Sequence, residues 1–193
     1  MRFGGGSAPV DWLVVGLGNP GAKYQGTPHN VGFQVASALS ARWDLGTPKK
    51  KWAGLYADGT AMPSGPRVGV LFPQTFMNES GRAAGPARGA LKVPLDHVIA
   101  VHDEIDLKFG DVRTRLGGGL AGHNGLKSLK AGFASPDFQR VRVGVGRPDS
   151  TDPEIVAAYV LCAWRQSAPE VEALVDEACA AVERIIEQAA EPA

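Results

Sequence analysis

The chain has 193 residues, 44% hydrophobic and 21% charged, with zero formal net charge. That is enough for one well-buried core and too little to require two, and no apolar run reaches the roughly 20 residues a membrane helix needs. Neutrality taken alone argues against a nucleic-acid partner, but it conceals a division along the chain. From 108 to 147 eight Lys or Arg stand against Asp111 and Asp137, and from Asp149 onward ten acids stand against Arg165 and Arg184. A neutral protein can carry one basic face, and phosphate contacts depend on that local patch.

Residues 1–10, rich in Gly and Ser, are expected to form a flexible N-terminal extension ahead of one domain over 11–190. The start lacks the apolar stretch of a signal peptide, which predicts a cytoplasmic location. Trp12 to Leu17 is a continuous apolar run closed by Gly18-Asn19-Pro20-Gly21, the pattern of a buried strand entering a loop. A helix is predicted next, with Thr27 as its cap, Pro28 at its first position and Val31, Val35, Ala38 and Leu39 at helical spacing. Arg67 to Phe72 and Val98 to His102 are further apolar strands, each delivering polar residues: Gln74 to Asn78, and Asp103-Glu104.

Lys51 to Asp58 and Asp111 to Leu116 are polar enough for edge or antiparallel strands. Gln139 to Gly146 alternates, with Arg140 and Arg142 on one face and Val141, Val143 and Val145 on the other, so one or both arginines are expected to face solvent. A long C-terminal helix is predicted from Ser167-Ala168-Pro169-Glu170, which has capping-box spacing, through the stripe from Val171 to Ile186 to a frayed end at 191–193. Cys162 and Cys179 fall in a helical, acidic stretch without zinc or disulfide spacing and are expected to be buried thiols. The fold class is therefore α/β: a single domain with a mixed, largely parallel twisted sheet flanked by helices on both faces.

Gly16-Leu17-Gly18-Asn19-Pro20-Gly21 matches the G-x-G-x-x-G dinucleotide fingerprint, but Pro20, Gly21, Gly26 and Pro28 delay the helix that should receive a pyrophosphate. No nicotinamide, flavin or other cofactor is expected. Four histidines are present: His29, His97, His102 and His123. His97 and His102 have an odd separation along a strand and point to opposite sides, so no metal site is expected. His29, at a helix start, would tend to be neutral and able to accept a proton near pH 7. Asp103, at the carboxyl end of a strand, could accept its hydrogen bond and fix its tautomer. No Gly-x-Ser-x-Gly elbow supplies a nucleophile, which leaves water as the attacking group. Asn19, Asn78 and Asn124 add neutral amides that both donate and accept.

The Gly-Leu-Gly-Asn-Pro-Gly strand end, Thr27 to Phe33, Gln74 to Gly81, His102 to Leu107, Gly117 to Leu126 and Arg140 to Pro148 stand in one order over roughly Trp12 to Gln188. In them the chain resembles the bacterial-type peptidyl-tRNA hydrolases. The resemblance implies an esterase cleaving the bond between peptide and tRNA, acting as a monomer without metal or cofactor. His29 would be the general base, Asp103 its stabilising acid, and Asn19 the group that distinguishes a blocked from a free amino group. Asn78 and Asn124 would contact the 3′ CCA end and the peptide backbone, Tyr24 and Phe76 would line the same cleft against the terminal nucleotides, and Arg115 and Arg142 would hold the 5′ phosphate. Phe72, where relatives often have lysine, and Leu120 and Ala121, where many are polar, are departures bearing on substrate preference. The alternative is a non-catalytic RNA-binding or splicing cofactor of the same fold, which has no reason to keep a base with its orienting acid.

Overall fold

A computed structural model describes residues 9–190. The seven strands are β1 (Trp12–Gly16), β2 (Lys49–Lys51), β3 (Gly54–Thr60), β4 (Arg67–Pro73), β5 (Val98–Glu104), β6 (Val112–Leu116) and β7 (Gln139–Gly144). They form one sheet in the order β2-β3-β4-β1-β5-β7-β6. The four central strands are parallel, and β2, β3 and β6 are antiparallel to their neighbours at the two edges. The predicted mixed sheet and both polar edge segments are thus present. Three consecutive exposed lysines make up β2, and their charge keeps that open edge from pairing with another chain.

β1 is buried along its whole length because helices cover both faces, and its alternate residues feed two cores. Val14 packs with Val101, Val141 and Val143 beneath α1 (Val31–Arg42) and α5 (Ala168–Ala190), in the same cluster as Val35, Leu39, Leu174 and Val182. Leu13 and Val15 pack with Leu71, Ala83 and Leu129 beneath α2 (Gly81–Leu91) and α3 (Asn124–Phe133). The expected C-terminal stripe is the buried face of α5. Glu170 accepts from both the N–H and the hydroxyl of Ser167, which is half of the predicted capping box.

Two glycines set how closely α1 approaches the sheet. A Cβ on Gly32 would lie 2.4 Å from both the Leu17 nitrogen and the Val101 oxygen, and one on Gly16 would lie 2.4 Å from the Gly32 oxygen. The first glycine of the apparent dinucleotide motif therefore serves backbone-to-backbone packing of helix on strand. Two short 3-10 turns, Ala22–Tyr24 and Pro28–Asn30, precede α1 and separate it from β1.

Several expectations are corrected. Val10, assigned to the loose extension, is buried against the second core; residues 1–8 and the expected frayed end at 191–193 lie outside the described residues. Thr27 does not cap α1, because its hydroxyl donates to the Tyr24 carbonyl instead. Cys179 is buried, but Cys162 is exposed where the chain leaves α4 (Pro153–Leu161). That helix had no assignment from periodicity, since only Val160 in it is buried; its start is marked by Asp152, whose side chain accepts from the Glu154 N–H, followed by Pro153. Arg140 does not face solvent. Only 2% exposed, its guanidinium donates to the carbonyls of Gly118, Gly119 and Pro136 and pins the glycine-rich loop over the end of β7.

Candidate active site

Parallel sheets place their sites beyond the carboxyl ends of the strands, and here the ends of β1 and β5 deliver Asn19 and Asp103 side by side. The 3-10 turn ahead of α1 brings His29 over them. His29 Nδ1 lies 2.9 and 3.0 Å from the two carboxylate oxygens of Asp103, which is 4% exposed. The carboxylate accepts, so Nδ1 carries the proton and Nε2 keeps a free lone pair on the cleft side. On the other side of Asp103 stands His123, the residue capping α3. Its Nδ1 accepts from the N–H groups of Gly125 and Leu126 at 3.1 and 3.3 Å, so its proton sits on Nε2, which donates to Asp103 Oδ1 at 2.9 Å. His102, fully enclosed, donates from Nδ1 to the Asp103 carbonyl at 2.7 Å and stacks edge-on against His123.

The electrostatics follow from this enclosure. Burial would weaken the basicity of His29, but the adjacent charge and hydrogen bond of Asp103 outweigh it and hold the imidazole above its ordinary value. The helix-start argument, which favours a neutral ring, is thus reversed in sign by the carboxylate. Burial would push Asp103 up; instead the two imidazoles hold it well below the usual carboxylate range, so it is charged throughout the physiological region. Burial, helped by His123, pushes His102 down to about 3, and it is neutral.

Asn19 is fixed from two sides. Its Oδ1 accepts from the Met77 N–H at 2.8 Å, which turns Nδ2 toward open space, while Asn30 bonds both its backbone N–H and its carbonyl at 2.9 Å. Asn30 and His123 had no role assigned from sequence. The signals were their places in Thr27-Pro28-His29-Asn30 and directly before Asn124, but nothing local shows that either folds against Asn19 or Asp103.

Around these groups lies a cleft of about 810 Å³ lined by Asn19, His29, Phe76, Asn78, Asp103 and Asn124, with α4 on its far wall. Phe76 is 56% exposed, unusual for so large an apolar ring and apt for stacking. Tyr24 is not brought into this cleft; its ring lies under the Lys23 ammonium. Arg115 and Arg142 line a smaller adjoining cavity of about 240 Å³ with Arg140 and His102. Arg142 is paired there with Glu104 at 3.1 Å, whereas Arg115 is exposed. His29, Asp103 and His123 also place three potential metal-ligating atoms within 4.8 Å of one another. The imidazole atoms turned inward are the two proton-bearing nitrogens, each already donating to the carboxylate, so the donor set is satisfied as a hydrogen-bond relay.

A histidine hydrogen-bonded to a buried carboxylate, at the carboxyl edge of an α/β sheet and ringed by amides, is an arrangement suited to a hydrolase. The family model described as Peptidyl-tRNA hydrolase matches residues 13–193, and the chain belongs to that family. It is 47% identical over 183 residues to a peptidyl-tRNA hydrolase of Mycobacterium sp. (strain KMS), covering 94% of this chain and 93% of the relative. To one of Xanthobacter autotrophicus it is 45% identical, over 88% of this chain and 81% of the relative. The crystal structure of peptidyl-tRNA hydrolase from Acinetobacter baumannii superimposes with a TM-score of 0.82 at 31% identity, over 95% and 93% of the two chains.

Proposed function

We infer that the protein hydrolyses the ester joining peptide to tRNA in peptidyl-tRNA, releasing both. The observation that carries the mechanism is the His29–Asp103 contact, which leaves Nε2 of His29 bare and basic over an open cleft. A water molecule attacks the ester carbonyl as Nε2 takes its proton; collapse of the tetrahedral intermediate expels the ribose oxygen, which receives the proton back. Asp103 stabilises the transient imidazolium, and His123 holds Asp103 in place.

Asn19 Nδ2, Asn78 and Asn124 supply amides for the peptide and the 3′ end, and Phe76 a stacking face for a terminal base. Arg115 and Arg142 take the 5′ phosphate, with Arg115 the freer of the two. The cleft is assembled from one chain, which suits a monomer, and no helix among the described residues is long and apolar enough to cross a membrane. Relatives named as hydrolases and a complete base–acid pair favour catalysis over a purely RNA-binding role.

The test is ester cleavage of N-acylated and free aminoacyl-tRNA in the presence of a chelator. Cleavage of the first with sparing of the second is expected. Loss of activity in chelator, or equal cleavage of both, would overturn the reading.

A further inference from the structure

Beyond Asn19, on the side away from His123, a second groove of about 680 Å³ runs between α1 and the ends of β3 and β4. Asn19 lines both the catalytic cleft and this groove, so the two adjoin with one side chain between them. Its apolar part is Phe33 against Phe72, edge to face at 5.9 Å, with Leu55 beside them. Its polar part is amide: Gln25, Gln34 and Gln74, with Oε1 of Gln34 buried and unpartnered. Among the described residues, no ionisable side chain lines it.

We propose that this groove holds the peptide moiety of the substrate, taking the residues that precede the esterified one in extended form. The proposal rests on the reading of the site as a peptidyl-tRNA esterase. Two things must leave that centre, a polyanion and a peptide, and the strand order separates their paths. Arg113, Arg115 and Arg142 lie on β6 and β7 to one side of the β1–β5 pair, and the groove lies on β3 and β4 to the other. A wall to which the described residues contribute no cation offers a phosphate chain no counter-charge. Amides beside aromatic and aliphatic surface suit the alternating backbone groups and side chains of an extended peptide. From Phe33 to Ala41 the helix rises eight steps of 1.5 Å each, about 12 Å, which spans three to four extended residues.

The experiment fills the groove and compares peptide lengths. Ser37 is exposed on α1 and lines the groove, so Ser37→Trp narrows it without touching the core; Gln74→Ala, also at an exposed position, removes an amide and serves as a second variant should the first not fold. Michaelis constants are measured on N-acetyl-aminoacyl-tRNA and on tRNA carrying a peptide of about six residues, long enough to fill the groove. The long substrate should show a KM raised about tenfold in Ser37→Trp and less in Gln74→Ala, with kcat preserved and the short substrate unaffected, because binding common to ground and transition state is lost. Equal impairment of both substrates would assign the groove to RNA, and unchanged KM on the long substrate would leave it unoccupied; either result overturns the proposal. Failure of the unmodified protein to cleave the short substrate would instead overturn the esterase reading.

Discussion

His29 and His123 share one oxygen: Nδ1 of the first and Nε2 of the second each lie 2.9 Å from Oδ1 of Asp103, with their ring centroids 5.3 Å apart. Only one of the two rings has a free nitrogen lone pair facing the cleft. His123 spends its own on the first turn of α3, so it donates and anchors, while Nε2 of His29 is left free to accept.

Replacing His29 by Ala is therefore expected to lower kcat by about 10² to 10⁴-fold, the usual worth of general-base catalysis, with tRNA binding intact. Single-turnover cleavage and a separate binding titration check the two halves of that statement.

Asp103→Asn should act through pH as well as rate. Because Asp103 raises the His29 value, the acid limb of the kcat/KM profile in the unmodified protein should lie above 6.5, the ordinary histidine value. In the Asn variant the opposing effect of burial remains without its compensation, so the limb should move to lower pH while the plateau drops. A profile measured from pH 5 to 8.5 shows the shift and its sign.

His102 predicts an acid-sensitive fold. Its value falls from 6.5 unfolded to about 3 folded, so between those limits the unfolded chain binds the extra proton and stability declines as pH falls. The slope approaches about 1.4 kcal/mol per pH unit well inside the window. Urea unfolding at pH 6.5 and 4.5 should show a smaller loss in His102→Leu than in the unmodified protein.

Asn30→Ala should damage both stability and turnover. It strips the partners from the Asn19 N–H and carbonyl in a buried setting, a loss of about 1–3 kcal/mol for each group left unsatisfied. Thermal melts and kcat for N-acetyl-aminoacyl-tRNA report the two effects.

For the basic face, Arg115→Ala is the cleaner probe, since Arg142→Ala would also strand the nearly buried Glu104. It should raise KM for whole peptidyl-tRNA, weaken the salt dependence of binding and leave a short acylated CCA fragment unaffected. Kinetics on both substrates at two salt concentrations test this.

Much of the architecture could be read along the chain because it is written in local periods. The run from Trp12 to Leu17, the alternation around Val141 and the stripe from Val171 to Ile186 each declare their element and buried face. α4 escaped because its apolar residues stay largely exposed, so composition carried no face. The pairing of His29 with Asp103 was accessible from their positions at a helix start and a strand end. The second anchor was not, because His123 meets Asp103 only through packing of α3 across the sheet. Arg140 misled for a related reason: alternation gives the side a residue points to, while the carbonyls of a glycine loop decide whether that side is wet.

The contact between Gly16 and Gly32 bears on which substitutions this chain can tolerate. Spacing between His29 and Asp103 rests on main chain packed against main chain, with no side chain as intermediary. Packing elsewhere can then be exchanged freely, so long as those two positions stay bare.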